Sequence, residues 1–420
     1  MADKKLEPGK QYPFGRRSEG QDPWKLPRAA DVFDKLLKKS RHEDHANNIN
    51  SLVAALACVI SRGQLSLHRV DENRLEYNQT SPFLDLSPLY GTNKSESDTV
   101  RAKDGTGMLS PDCYYDIRAT FLPPAVSALL ILWNRNHNYI ARHLLLNNER
   151  KEWKEPSDPN LENGITPPWL LAQDDQIFEI ARAINCVQFM NVVVEDFLKI
   201  LCGLSHTGPG SNLNILAVVK DLAQVAKGKG HTSTVEFSLL HSEWSSLFSQ
   251  KDVQAFKEKM AVFSGNRPEN ISDMMPREFN ELLHQTTSKN PNRRQWNLAD
   301  IRRGSNSRFK DQDLAHILYE ATERAAGAVG ARCIDSCFRS KELIMLERAR
   351  KWKVGSLNQF RKFLGLKPLK SFEEWNSNPD VASAAKSLYG DSIDALELYV
   401  RCGTSSCAQL LIVPLAWSTG

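Results

Sequence analysis

Two long apolar runs of helical period constrain this chain more than any other feature. Pro123-Pro124 introduce a run from Ala125 to about Asn148, apolar through Trp133 and amphipathic beyond it. A second run begins near Asp174, read as its cap, and places Ile177, Ile180, Ile184, Val187, Asn191, Val194 and Leu198 at helical spacing before Gly203. Stripes at Val32 to Leu37 and Ile49 to Ile60 share that period, and further helices are expected at 235–249, 251–263, 311–326, 340–351 and 356–364. No apolar/polar alternation lasts long enough to suggest a sheet, and no internal repeat is visible. The class is therefore mainly α: one large helical domain over 30–400, an extended Pro- and Gly-rich arm over 1–29, and a tail over 401–420.

Hydrophobic residues at 41% and charged residues at 25% provide for a real core. The surplus of 54 basic over 50 acidic residues, +4, is too small for a nucleic-acid footprint, so no nucleic-acid partner is expected. Eight cysteines lack the paired spacing of a zinc ribbon or a secreted disulfide scaffold; Cys333 with Cys337 and Cys402 with Cys407 are the close pairs, and reduced thiols are expected. The N-terminus has no apolar leader, and no apolar run approaches the roughly 18 residues of a transmembrane span. Expected is an intracellular protein, cytoplasmic or peripherally attached to a membrane, with Ala125 to Trp133 and Gln409 to Trp417 as the stretches that could touch lipid. The oligomeric state is not written in the sequence.

Two polar clusters admit a chemical and a plain reading. Asp174-Asp175 with Glu179 could hold a cation or simply favour a helix start, where acids meet the positive end of the dipole. His42-Glu-Asp-His45 could seat a metal on one turn or be an exposed polar turn.

Four ordered stretches then carry a resemblance. They are Ser81-Pro-Phe-Leu-Asp-Leu-Ser-Pro-Leu-Tyr-Gly91, Leu132-Trp-Asn-Arg-Asn-His-Asn-Tyr-Ile-Ala141, Val235-Glu-Phe-Ser-Leu-Leu240, and Ala349-Arg-Lys-Trp352 through Leu357-Asn-Gln-Phe-Arg-Lys-Phe-Leu-Gly-Leu-Lys-Pro368. From about residue 25 to 400 the chain resembles the peroxidase–cyclooxygenase superfamily, most of all the haem dioxygenase domain of fungal linoleate diol synthases and psi-factor-producing oxygenases. The resemblance implies a haem peroxidase-like, cyclooxygenase-like helical fold, a haem cofactor, and a tyrosyl radical that starts oxygenation of a fatty acid. It ends near Val400, so no second domain is expected.

Residue by residue, the pattern departs at its centre. Where the family reads Tyr-Arg-Trp-His, with the radical tyrosine and the iron-ligating histidine, this chain has His241, Ser242, Glu243 and Trp244. An indole offers an N–H donor and no in-plane lone pair, so Trp244 cannot ligate iron, and imidazole cannot supply the phenoxyl radical at His241. If both shared one helix, His241 would sit about 4.5 Å along the axis from Trp244, within reach of a shifted haem. The family's distal His-Asp falls on Arg62 and Gly63, and an arginine is a poor proton shuttle.

Other implied parts persist. Asn358 matches the asparagine that bonds the proximal histidine, and Arg361 the arginine that pairs with a haem propionate. Ser81, the Phe83 carbonyl, Asp85 and Ser87 match the calcium loop, with one carboxylate fewer because Gly63 stands for aspartate. Two functions remain open: oxygenation of an unsaturated fatty acid or other apolar substrate through altered haem ligation, with Tyr319 as another radical site, or a haem-free member. The latter would be a non-redox cyclase or isomerase, or a binding or regulatory pseudoenzyme.

Overall fold

The computed structural model describes residues 12–13, 26–61, 77–78, 84–156, 167–201, 234–240, 244–265, 267–289 and 292–400. Most of the expected arm and the whole tail over 401–420 lie outside the described residues. In chain order the helices are α1 (Ala29–Val32, prolonged by a π turn, Phe33–Leu37), α2 (Ser51–Ser61), α3 (Ser87–Tyr90), α4 (Lys94–Asp98), α5 (Pro124–Asn147), α6 (Pro168–Asn191, prolonged by a π turn, Val192–Phe197) and α7 (Leu198–Leu201). The later ones are α8 (Val235–Leu240), α9 (Gln250–Ser264), α10 (Pro276–Lys289), α11 (Asp311–Glu323), α12 (Arg339–Lys351), α13 (Leu357–Phe363), α14 (Phe372–Trp375) and α15 (Pro379–Tyr389). Among the described residues the one sheet is a two-residue antiparallel pair, Tyr12–Pro13 with Tyr77–Asn78.

Local chemistry sets the main boundaries. Pro124 and Pro168 occupy the first turns of α5 and α6, where a missing N–H leaves no bond unmade. Asn148 closes α5 in the left-handed region at φ 35. Reciprocal side-chain to backbone bonds open α9 (Ser249 with Asp252) and α13 (Ser356 with Gln359).

Helices α5 and α6 run antiparallel. Trp133 meets Phe189, Asn136 meets Asn185 and Gln188, and Ile140 and Leu145 share a small cluster with Ile177 and Ala181. The main core collects Phe33 and Leu36, the small face of α2 (Ala54, Ala55, Ala57), Phe178 and Phe189 of α6, and Leu343 and Leu346 of α12. A strap of backbone bonds then ties late chain to early chain. Ala326 N–H donates to Ile49, Ala328 to Glu43, Arg332 to Leu36 and Ile334 to Leu37, each to the carbonyl oxygen. Gly327 lies so close to the Ser246 carbonyl oxygen that a Cβ would stand 2.2 Å from it, so only glycine fits.

Three expectations are corrected. Helix α6 starts at Pro168, six residues before its expected cap; Asp174 is buried mid-helix because its carboxylate is engaged by the loop before α5. The expected helix over 235–249 is broken: α8 is described to Leu240, Trp244 caps a 3-10 turn (Ser245–Leu247), and the Ser249 capping box starts a new helix. Trp244 thus lies outside α8, and His241 lies outside the described residues. Finally, Pro168–Phe197 is, by length and a mean hydropathy of 1.4 over 18 residues, apolar enough to cross a membrane. Here its inner face (Ile177, Phe178, Ala181, Phe189, Val193, Phe197) belongs to the protein core, and its outer face exposes Ile180, Ile184, Val187 and Met190.

Candidate functional site

Trp244 is 3% exposed and presents its ring edge-on to Phe197, with centroids 6.0 Å apart. The next residue, Ser245, enters a buried polar cluster. Its hydroxyl donates to Glu342 Oε1 at 3.1 Å and accepts from Lys341 Nζ at 3.2 Å. The Lys341 ammonium also donates to Glu342 Oε1 at 2.9 Å, and the Tyr399 hydroxyl donates to Glu342 Oε2 at 2.7 Å. Facing inward on α2, Cys58 is buried, and desolvation pushes its thiol well up, keeping it protonated.

A second buried network surrounds His137 of α5. Its Nε2 stands 3.0 Å from the Gly107 carbonyl oxygen, which can only accept, so Nε2 carries the proton and Nδ1 accepts from the Tyr90 hydroxyl at 2.8 Å. Tyr90 Oη in turn accepts from Asn185 Nδ2 at 2.8 Å. Burial pulls the imidazole down from 6.5 to about 4, so it is neutral at neutral pH. Beside it, Asp174 Oδ1 accepts from the Gly105 and Gly107 amides, its Oδ2 pairs with Arg101 at 2.5 Å, and that guanidinium lies 4.3 Å over the Phe178 ring. The acidic start read from the sequence is thus an internal ion pair.

Among the remaining expected site residues, Arg62, Ser81, Phe83 and His241 lie outside the described residues. Asp85 Oδ1 accepts from the Ser87 amide, turning the chain into α3, where Ser87 is buried. Asn358 spends its amide on Leu369, donating to its carbonyl at 2.9 Å and accepting from its N–H at 2.8 Å, and also donates to Asp394 at 2.6 Å. Arg361 Nε donates to the Lys367 carbonyl. Tyr319 is 64% exposed. His42 pairs with Asp44 at 3.2 Å on the rim of an open cleft of about 580 Å³, and no group of three His, Cys, Asp or Glu suited to a metal occurs among the described residues.

The sequence pattern of the family described as Animal haem peroxidase matches residues 111–404. The chain belongs to the animal haem peroxidase family. It is 33% identical over 381 residues to Psi-producing oxygenase A of Aspergillus fumigatus, covering 89% of this chain and 34% of that one. It is 32% identical over 381 residues to Linoleate diol synthase of Gaeumannomyces graminis, covering 89% and 31%. The chain thus spans about a third of the length of these curated relatives. Among solved structures it resembles the fatty acid alpha-dioxygenases of Oryza sativa (TM-score 0.61, 17% identity, 98% of this chain and 76% of that one) and Arabidopsis thaliana (0.62, 14%, 98% and 72%). This confirms the mainly α, haem peroxidase-like fold.

An animal haem peroxidase implies haem, whose iron needs an imidazole nitrogen, a thiolate or a phenolate. The described core does not fit that need. The position to which the sequence resemblance assigns the ligating histidine holds a packed indole, and the buried face of α2 offers Ala54, Ala55, Ala57, Val59 and a protonated Cys58. His137 is buried and neutral, but both of its nitrogens are engaged.

Sequence reasoning missed Lys341, Glu342 and the Tyr90–His137 pair. The signal for the first was two adjacent charges followed directly by Leu343, Ile344, Met345 and Leu346. The second lay inside two motifs already quoted, read there for their family and not for their hydrogen bonds.

Proposed function

We propose that this chain is a divergent animal haem peroxidase family member that recognises an unsaturated fatty acid or similar apolar molecule without oxygenating it, as a binding or regulatory pseudoenzyme. One observation carries the loss of iron chemistry: Trp244 is packed into the core against Phe197, and its neighbour Ser245 is locked into a buried ion pair. The ligand class is suggested by the relatives, one of which is named for linoleate and others for fatty acids.

Loss of the ligand and of the radical tyrosine would act at separate steps. Without an axial nitrogen the iron is not held; without a phenol at position 241 no hydrogen-atom acceptor stands ready. Either change alone would depress turnover, and together they would leave apolar recognition as the remaining part of the family's work.

The test is absorption spectroscopy on the full chain expressed with haem precursor, followed by incubation with linoleate and oxygen. Expected are no stoichiometric Soret band, no hydroperoxide above the rate of free haem, and saturable linoleate binding by displacement of a fluorescent fatty acid. A Soret band lost in His241→Ala, with chiral hydroperoxide at catalytic turnover, would establish an oxygenase with altered ligation instead.

A further inference from the structure

Lys341 and Glu342 are consecutive residues of α12, and their side chains are 2% and 0% exposed. Buried charges persist only when paired and hydrogen-bonded. Here the pairing is closed: Lys341 Nζ contacts Glu342 Oε1 and Ser245 Oγ, and Glu342 receives further donors from Ser245 on Oε1 and Tyr399 on Oε2. Three chain segments meet in it, namely the turn after Trp244, helix α12, and the 3-10 turn Leu398–Val400. In a haem protein, a bond from iron to a side chain would anchor the first of these segments, because metal binding is coupled to folding.

We infer that the Lys341–Glu342 pair, with Ser245 and Tyr399, anchors the segment at Trp244 in place of an iron–ligand bond, so that the core of this chain is complete without a cofactor. The inference rests on the reading that position 244 no longer ligates iron. It adds which groups do that work. The strap reinforces the anchor, since Gly327 N–H donates to the Leu247 carbonyl two residues beyond Ser245.

The experiment is thermal unfolding of the full chain by circular dichroism, without haem and with added haemin, for wild type, Lys341→Met, Glu342→Gln and the double variant. Haem-free wild type should unfold in one cooperative transition that haemin does not shift. Each single variant should lower Tm by about 5 °C or more, and the double variant by clearly less than the sum. Additive single effects, or singles that melt like wild type, would overturn the inference even if no Soret band is found. A molten haem-free protein that haemin restores would overturn it as well. A Soret band with an unshifted Tm and strong coupling would instead sink the loss of iron chemistry and leave the anchor standing. Should both charge variants fail to fold, Ser245→Ala and Tyr399→Phe give the same reading: coupled losses support the anchor, additive ones reject it.

Discussion

The Tyr90 hydroxyl and His137 Nδ1 are 2.8 Å apart with both residues wholly buried, and the second imidazole nitrogen is bonded to Gly107. This pair joins the end of α3 to the middle of α5, and it fixes a neutral imidazole where a charged one would be costly.

Stability should therefore fall with acid in a defined window. The folded imidazole titrates near 4 instead of 6.5, so the unfolded chain binds more protons between those values. Its contribution is complete above pH 6.5 and is lost as pH falls toward 4, an effect of about 3 kcal/mol. Urea unfolding at pH 7, 5.5 and 4.5 measures it. His137→Gln, which keeps one donor and one acceptor, should flatten the slope while lowering stability at neutral pH.

Asp174→Asn should leave the Arg101 guanidinium buried without its main carboxylate. Breaking such a pair costs about 3–5 kcal/mol, and the loss should appear as a lower urea midpoint with an unchanged slope. Asp175, nearly half exposed on its side chain, also reaches Arg101 at 2.6 Å and should soften the effect.

Asn358→Ala should free both backbone groups of Leu369 at once. A buried polar group left without its partner costs about 1–3 kcal/mol, so Tm should drop, and the absorption spectrum with added haemin should not change. A spectral change would show that Asn358 acts on a haem ligand.

Gly327→Ala should be among the most damaging single-methyl additions in the chain. The clash is with the Ser246 carbonyl oxygen and then with that of Phe248 at 2.9 Å, both backbone atoms that cannot swing away. Overpacking of this sort costs about 1–3 kcal/mol or more, and the soluble yield and Tm report it.

Much of the fold was legible because long helices write their period openly: α5 and the body of α6 stand where Ala125 to Asn148 and Ile177 to Leu198 placed them. Boundaries set by side chains were harder. The helix expected over 235–249 is interrupted by the 3-10 turn Ser245–Leu247, which hydrophobic spacing does not record, while the next helix starts at Gln250, capped by Ser249 with Asp252, close to where it was expected. Helices α10 and α15 were missed although each has proline in its first turn: apolar residues are sparse in α10, and in α15 half of them are alanine, which marks a stripe weakly. At the site, the motif drew notice to Trp244 as a departure from the family pattern, but its packing against Phe197 was not visible in the sequence. The partners of Asn358, 11 and 36 residues away, and the bonds of Lys341 and Glu342 to Ser245, 96 and 97 residues away, were not visible either, because such adjacency is a property of packing.

The strap that joins late chain to early chain carries a consequence for how the protein is made. Arg332 Nε donates to the Lys35 carbonyl across 297 residues, and the Phe309 amide reaches Asp112 across 197. During synthesis, the helices around Phe33 and Ala54 emerge long before the segment that closes over them, and their apolar faces wait in the open for that interval. Yield in a host cell should accordingly depend on chaperone supply and on slowed translation more than on the stability of the finished molecule.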